Sequence, residues 1–310
     1  MSYPIADELL ERAEQLGLPP DFQPKSLEPL RVASLGCGTV GGGVLARLLD
    51  RPDLFLVTGI AVKNLKAKRP GVPRSLLTHD AEGLAVSDVD VVIELIGGRE
   101  PAHRAIVRAL ERGRSVVTAN KLLLAEEIES LSRLAERNGA YLGYSASVGG
   151  ALPALETVRR YAGRVRALSG VLNGTCNFVL DRCSSGFSFE EAVAEAQAAG
   201  FAEADPALDL DGSDTAQKLA LLAREAFGVL LPWERIPRQG ILGLQPAHEK
   251  GQVIRLVASC ERTGGELRAR VAPIELPAKH PFAQAAGAGN ALRIETANGV
   301  VLDLAAPGAG

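Results

Sequence analysis

Arg31-Val32-Ala33-Ser34-Leu35-Gly36-Cys37-Gly38-Thr39-Val40-Gly41 decides the fold. A short apolar strand runs into three spaced glycines, and Val44-Leu45-Ala46-Arg47-Leu48-Leu49 then has helical spacing. The glycines fit G-x-G-x-x-G. Alone that pattern is weak and also describes a plain tight turn. A strand before it and a helix after it supply the context in which it cradles a dinucleotide. Gly36 then permits the turn, Gly38 lets the backbone approach a pyrophosphate, and Gly41 lets helix pack closely on strand. The helix N-terminus presents free N–H groups and a positive dipole end to the phosphates.

Outward from this loop, strands and helices alternate. Leu54 to Val62 reads as a second strand, Asp88 to Ile93 as a third and Ser115 to Thr118 as a fourth. A helix pattern from Ala102 to Arg112 ends at Gly113 as a C-cap. This alternation predicts an α/β fold, a Rossmann-type doubly wound parallel sheet with helices on both faces. After about residue 150 the pattern loosens. Ser188-Phe189-Glu190-Glu191 is a capping box for a helix closing at Gly200, a second helix is predicted over Ser213 to Ala226, and short alternating segments such as Leu267 to Val271 follow. That reads as an α+β second domain. The expected organisation is a 1–30 extension holding a short amphipathic helix, a 31–149 dinucleotide-binding domain, a 150–300 substrate-binding and dimerisation domain and a 301–310 return segment toward the nucleotide domain.

Composition agrees with this. The 310 residues predict two domains at about 150 each. Hydrophobic residues are 46% and charged residues 23%, which excludes disorder and fibrous classes. Thirty-four basic against 37 acidic side chains give a net charge of -3, so no nucleic-acid or membrane-surface partner is expected. Cys37, Cys176, Cys183 and Cys260 show no CxxC spacing and read as reduced cytosolic thiols. With acids and no apolar run from Met1 to Glu14, no signal peptide is expected, and the localisation expected is cytoplasmic.

The position about 20 residues past the glycines separates NAD from NADP. Val62-Lys63-Asn64 stands there, with Lys66, Lys68 and Arg69 behind it and no acid to repel a 2′-phosphate. This suits NADP, with NAD possible; the plain alternative is a solvated basic loop. Lys121, at the end of the fourth strand, lies where open sheets collect ligands, although a bare lysine there is also an ordinary surface residue. Glu203, Asp205, Asp209, Asp211 and Asp214 precede Lys218. They do not fit a calcium loop. Asp214 and Lys218 share a helix face, which describes either a surface ion pair or an acidic grip on an amino-acid ammonium beside a proton donor. The histidines (His79, His103, His248, His280) have no metal spacing, and no G-x-S-x-G hydrolase motif occurs.

The segment Ala196 to Lys218 resembles the signature of homoserine dehydrogenases. That family's other landmarks follow in order: Gly36 to Gly41, Gly97-Gly98, Val117 to Lys121, Ser147 to Gly150, Leu172 to Asn177, His280-Pro281 and Pro307 to Gly310. The resemblance covers about residues 30–310. It implies reversible reduction of L-aspartate 4-semialdehyde to L-homoserine, on the route to threonine, methionine and isoleucine, by a homodimer acting on a small molecule. It places the proton donor on Lys218, a second active-site lysine on Lys121, and substrate contacts on Glu203, Asp209 and Asp214. Cofactor contacts fall on Thr39, Val40, Lys63, Gly97, Gly98 and Lys121, beside Gly36, Gly38 and Gly41. It also implies a monovalent-cation site of backbone carbonyls at Val148, Gly150 and Leu152. Ser145 replaces the usual glutamate of that site, so a weak site is expected. Lys63 replaces an arginine, and relatives continue past the position of Gly310, which leaves a short protein or a fragment open.

The chemistry fits the resemblance. Hydride addition to an aldehyde makes an alkoxide, which an ammonium within hydrogen-bond reach can protonate. A lysine ordinarily titrates near 10.4, so cycling near neutrality asks for burial or a second cation. Lys121 is the expected second charge. The alternatives are a catalytically impaired NADP-binding or sensing protein on the same fold, or another amino-acid dehydrogenase.

Overall fold

The computed structural model describes residues 28–202, 205–244 and 251–308. The helix expected within residues 1–30 falls largely outside these, as do Glu203, His248 and Ala309-Gly310.

The first layer is a six-stranded parallel sheet. Its elements are β1 (Leu30–Leu35), α1 (Thr39–Leu49), β2 (Phe55–Ala61), β3 (Leu77–Thr78), α2 (Ala81–Ala85), β4 (Val91–Glu94), α3 (Ala102–Glu111), β5 (Ser115–Thr118), α4 (Lys121–Arg137) and β6 (Leu142–Gly143). Strand order is β3-β2-β1-β4-β5-β6, the order of a doubly wound dinucleotide fold. β1 is flanked by β2 and β4, so the chain reverses direction across the sheet there and leaves a crevice at the carboxyl ends of β1 and β4.

The sequence pattern gives no sign of β3, and the regular part of β4 starts later than predicted. The two-residue β3 is too short to carry a period. The regular part of the strand predicted from Asp88 begins at Val91, with Asp90 at its foot: the Asp90 N–H donates to Arg31 O (2.8 Å), its carbonyl accepts Ser115 N (3.1 Å), and its carboxylate accepts the Arg31 backbone N–H (2.8 Å) and guanidinium (2.8 Å). α3 shows why the helices dock: Ala102, Ala105, Ile106, Ala109 and Leu110, at helical spacing, are all fully buried.

The second layer contains α5 (Ala154–Arg160), β7 (Val165–Val171), α6 (Gly174–Ser184), α7 (Phe189–Ala198), α8 (Ala207–Leu210), α9 (Ser213–Phe227), β8 (Gln252–Thr263), β9 (Glu266–Pro277), β10 (Gly289–Thr296) and β11 (Val301–Pro307). Its five strands form a separate antiparallel sheet, β11-β10-β7-β8-β9. β7 is central, although Val171 pairs with Val257 on one side and Ala291 on the other. The Ser188 box is present, opening α7. Residues 301–307 form the outer strand, and the Ala151 N–H donates to Pro307 O at 3.4 Å.

α9 joins the layers. Leu219, Leu221 and Leu222 are buried, each worth about 1.5–3 kcal/mol, and α9 packs on α4 and α5. A polar cluster fixes this packing. Tyr144 Oη donates to Glu225 (2.6 Å), Arg159 Nε donates to Glu225 (2.5 Å), and Arg224 reaches Glu129 (2.9 Å) and Tyr144 Oη (3.0 Å). Burial and then Glu225 push the Tyr144 phenol up to about 12, so it stays a donor. The cluster holds α4, which begins with Lys121, against α9, which carries Asp214 and Lys218.

Candidate active site

The glycine loop follows β1, Lys63 follows β2, Gly97-Gly98 follows β4 and Lys121 follows β5. All lie at the carboxyl ends of parallel strands, around the crevice. Gly36 has φ +110°, and a Cβ there would lie 2.5 Å from Leu95 O. A Cβ on Gly41 would lie 2.7 Å from Gly36 O, whereas one on Gly38 meets nothing within 4 Å. Two glycines thus close the turn, and the middle one leaves open space beside the N-terminus of α1. Thr39 and Val40 are exposed there, Val40 at 54%. This loop fits a dinucleotide pyrophosphate. Lys63 and Lys66 are exposed, while the Arg69 guanidinium donates to the carbonyls of Asn64 (2.9 Å) and Ala67 (3.1 Å).

The acidic segment sorts itself. Asp205 accepts Ala207 N (3.1 Å) and Asp211 accepts the Ser213 N–H (2.8 Å) and hydroxyl (2.9 Å), so both serve turns. Asp209 and Asp214 converge. The Asp214 side chain, only 6% exposed, sits between two ammoniums: Lys218 Nζ at 2.8 Å and Lys121 Nζ at 3.1 Å. Lys218 also donates to Leu172 O at 2.6 Å. The surface ion pair that the spacing allowed is therefore a buried one. Burial favours a neutral Asp214, but Lys218, then Lys121, and hydrogen bonds from Lys218 and Asn173 outweigh it and hold the carboxyl below its usual range. Burial first, and the Asp214 charge second, push Asp209 above its usual range.

Sequence reasoning gave Asn173 and the Leu172 carbonyl no role beyond their place in the Leu172 to Asn177 landmark. The Asn173 amide donates to Asp209 Oδ1 and Asp214 Oδ2, both at 2.8 Å. Its oxygen caps α6 by accepting Cys176 N at 2.8 Å. The available signal was an asparagine directly before a helix. Two of the histidines take structural roles: His79 meets Val62 O at 3.0 Å, and His280 accepts Phe282 N at 3.1 Å.

The implied cation loop fits poorly. Residues 145–152 contain no carboxylate, and the Leu152 carbonyl already accepts Ala154 N at 2.7 Å. A hard cation is held by charged or freely offered oxygens. Among the described residues no group of three His, Cys, Asp or Glu could hold a metal ion, the four cysteines are free, and no helix is long and apolar enough to cross a membrane.

A dinucleotide crevice that opens toward two lysines on one buried acid defines the class of two-domain nicotinamide-dependent oxidoreductases. Residues 36–145 match the family model described as homoserine dehydrogenase, NAD binding domain, and residues 153–310 match the one described as homoserine dehydrogenase. The homoserine dehydrogenase of Mycobacterium tuberculosis is 40% identical over 295 residues, covering 88% of this chain. This chain spans 66% of that relative's length. Among solved structures, a homoserine dehydrogenase from Thiobacillus denitrificans matches with TM-score 0.83 at 34% identity, covering 91% of this chain and 69% of its own. A putative homoserine dehydrogenase from Archaeoglobus fulgidus matches at TM-score 0.79 and 34% identity, covering 91% and 94%. The chain belongs to the homoserine dehydrogenase family and carries its NAD-binding domain.

Proposed function

We propose that this chain catalyses the reversible reduction of L-aspartate 4-semialdehyde to L-homoserine, with NADP(H) preferred over NAD(H). The observation that carries the reading is the meeting of Lys121 and Lys218 on Asp214, beside Asp209. A bound dinucleotide supplies or accepts the hydride. Lys218 protonates the alkoxide oxygen formed in reduction and takes the proton back in reverse. Asp214 and Leu172 O engage two of its three N–H bonds and fix its direction, leaving the third for the substrate oxygen. Asp209, with Glu203, takes the substrate ammonium. A carboxyl pushed up by burial and a like charge is one that an incoming cation relieves, so the site favours an amino-acid substrate. NADPH oxidation with aspartate semialdehyde, against a blank without it, tests the reading; no rate above the blank rejects it. The alternative of an impaired NADP-binding or sensing protein has less support, because the cationic groups needed for proton transfer are assembled.

Lys63 and Lys66 are the proposed partners of the 2′-phosphate. Converting both to alanine should weaken NADP binding about tenfold and leave NAD binding unchanged, since charge-assisted contacts to phosphate are lost only with NADP. Calorimetric titration of both cofactors into both proteins measures this. Equal wild-type affinity for NAD and NADP would defeat the assignment.

Dependence on a monovalent cation is expected to be weak, given Ser145 and the engaged Leu152 carbonyl. Rates in sodium, potassium and tetramethylammonium chloride at equal ionic strength should agree within about twofold. A strict requirement for sodium or potassium would show that Val148, Gly150 and Leu152 suffice. Assembly as a cytoplasmic homodimer belongs to the same reading, and light scattering of the purified chain tests the dimer.

A further inference from the structure

Glu94 ends β4, among Val91, Val92 and Ile93, and is fully buried. Nothing in the dinucleotide motif calls for an acid at this position. Its Oε1 accepts the backbone N–H groups of Ile96 (2.8 Å) and Gly97 (3.0 Å), and its Oε2 accepts the Thr118 hydroxyl (2.6 Å). The Thr118 oxygen accepts Asn120 N at 3.0 Å. The Asn120 amide donates to Gly98 O at 2.6 Å, and its oxygen caps α4 by accepting Leu123 N at 3.3 Å. The bonds close a ring from the end of β4, through the end of β5, back to the turn after β4.

Both ends of this ring face the site. Gly97 and Gly98 are exposed at the crevice with φ +75° and +69°, and glycines are the residues least able to hold such a turn by themselves. Lys121 follows Asn120 directly, with its ammonium on Asp214. Burying a carboxylate is unfavourable unless its hydrogen bonds are met, and packing alone would be served by another Val or Ile.

We infer that Glu94 is a positioning residue, which fixes the Gly97–Gly98 turn and the Asn120–Lys121 corner as one rigid unit at the edge of the crevice. The inference rests on the dehydrogenase reading above. It divides the ring into two functions. The Ile96 and Gly97 bonds shape the turn that faces the cofactor. The Thr118–Asn120 bonds set where Lys121 starts, and so act on the chemical step.

Four variants separate these effects: Glu94→Ala, Glu94→Gln, Thr118→Val and Thr118→Ser. NADPH affinity is read by fluorescence, kcat and KM by steady-state kinetics, and folding by melting temperature. Glu94→Ala should weaken NADPH binding and lower kcat, each about tenfold, as expected when anchoring hydrogen bonds are lost. Glu94→Gln retains an oxygen for Ile96 and Gly97, so NADPH binding should be restored while kcat stays reduced. Its amide N–H₂ cannot accept the Thr118 hydroxyl proton, so the charge-assisted bond that orients Thr118 for Asn120 N is lost. Thr118→Val should lower kcat with NADPH affinity unchanged, and Thr118→Ser should restore kcat. Thr118→Val keeps the test open if Glu94→Ala fails to fold. The inference is overturned if Thr118→Val keeps wild-type kcat, or if the Glu94 variants lower only the melting temperature. An inactive wild type would reject the dehydrogenase reading alone; NADPH affinities would still show whether Glu94 shapes the turn.

Discussion

Lys218→Ala should lower kcat by about 10²–10⁴-fold, the usual worth of a positioned general acid, with a modest change in KM. The geometry explains the split. Lys218 is directed by Asp214 Oδ2 at 2.8 Å and Leu172 O at 2.6 Å, so its remaining N–H meets the substrate oxygen most strongly once that oxygen becomes an alkoxide. The interaction gains strength in the transition state, and its loss appears in kcat. Substrate grip is assigned to Asp209 and Glu203, which the variant leaves in place. Asp214 also keeps the Lys121 ammonium and the Asn173 amide as partners, so the fold should survive. Steady-state kinetics beside Lys121→Ala, with melting temperatures for both, make the comparison. A folded Lys218→Ala protein with wild-type kcat would return the proton to Lys121 or to a bound water.

Asp214→Ala should be the more damaging change to stability, by about 3 kcal/mol at neutral pH. Removing one partner of a buried ion pair costs about 3–5 kcal/mol, and the lower end applies because Lys121 is 39% exposed and can move its charge toward water. The variant leaves two ammoniums facing each other and the Asn173 amide with Asp209 alone. The loss should depend on pH in a definite sense. The folded Asp214 carboxyl lies below its ordinary value, so its contribution is complete above the unfolded pKa near 3.9 and declines as pH falls through the folded pKa. Urea melts of both proteins at pH 7 and in steps below about pH 4 should show the difference shrinking. Equal stability at pH 7 would mean that the three charged groups do not form one buried unit.

The nucleotide half was readable because its signals are local. A glycine pattern between a strand and a helix specifies its own context, and β1, β5 and α3 appear where their apolar periods place them. β3 was hidden by its length, and Asp88–Asp90 read as strand because Val89 continues the apolar alternation and Asp90 still bonds to both neighbouring strands. In the site, Lys121, Asp209, Asp214 and Lys218 were picked out in sequence, while only the family resemblance, and not their spacing, brought them together. Lys121 and Asp214 are distant along the chain, and a four-residue spacing looks the same on a solvated helix as on α9, whose polar Ser213, Asp214, Thr215 and Gln217 are all buried. Asn173 stood in the sequence only as part of the Leu172 to Asn177 landmark; it caps α6 and bridges two carboxylates from another segment, and neither role shows in its spacing. The Leu172 acceptor is a backbone atom, for which side-chain identity carries no signal. Glu94 stands one residue past the predicted third strand and drew no reading, because its meaning lies in Thr118 and Asn120 on the next strand and its loop.

The central place of β7 in the second sheet has a consequence for how the molecule is made. Contacts between residues far apart in sequence form late, because the intervening loop must first lose its entropy. Val171 finds its partners only at Val257 and Ala291, about 85 residues or more further on, whereas β1 to β6 pair within Leu30–Gly143. On a ribosome that adds about 5–20 residues per second, the nucleotide layer has all its strands several seconds before β7 has either neighbour. During that interval β7 offers two unpaired edges, and the Lys121 ammonium waits for the carboxylate that α9 will bring. The step most exposed to aggregation is therefore closure of the second sheet.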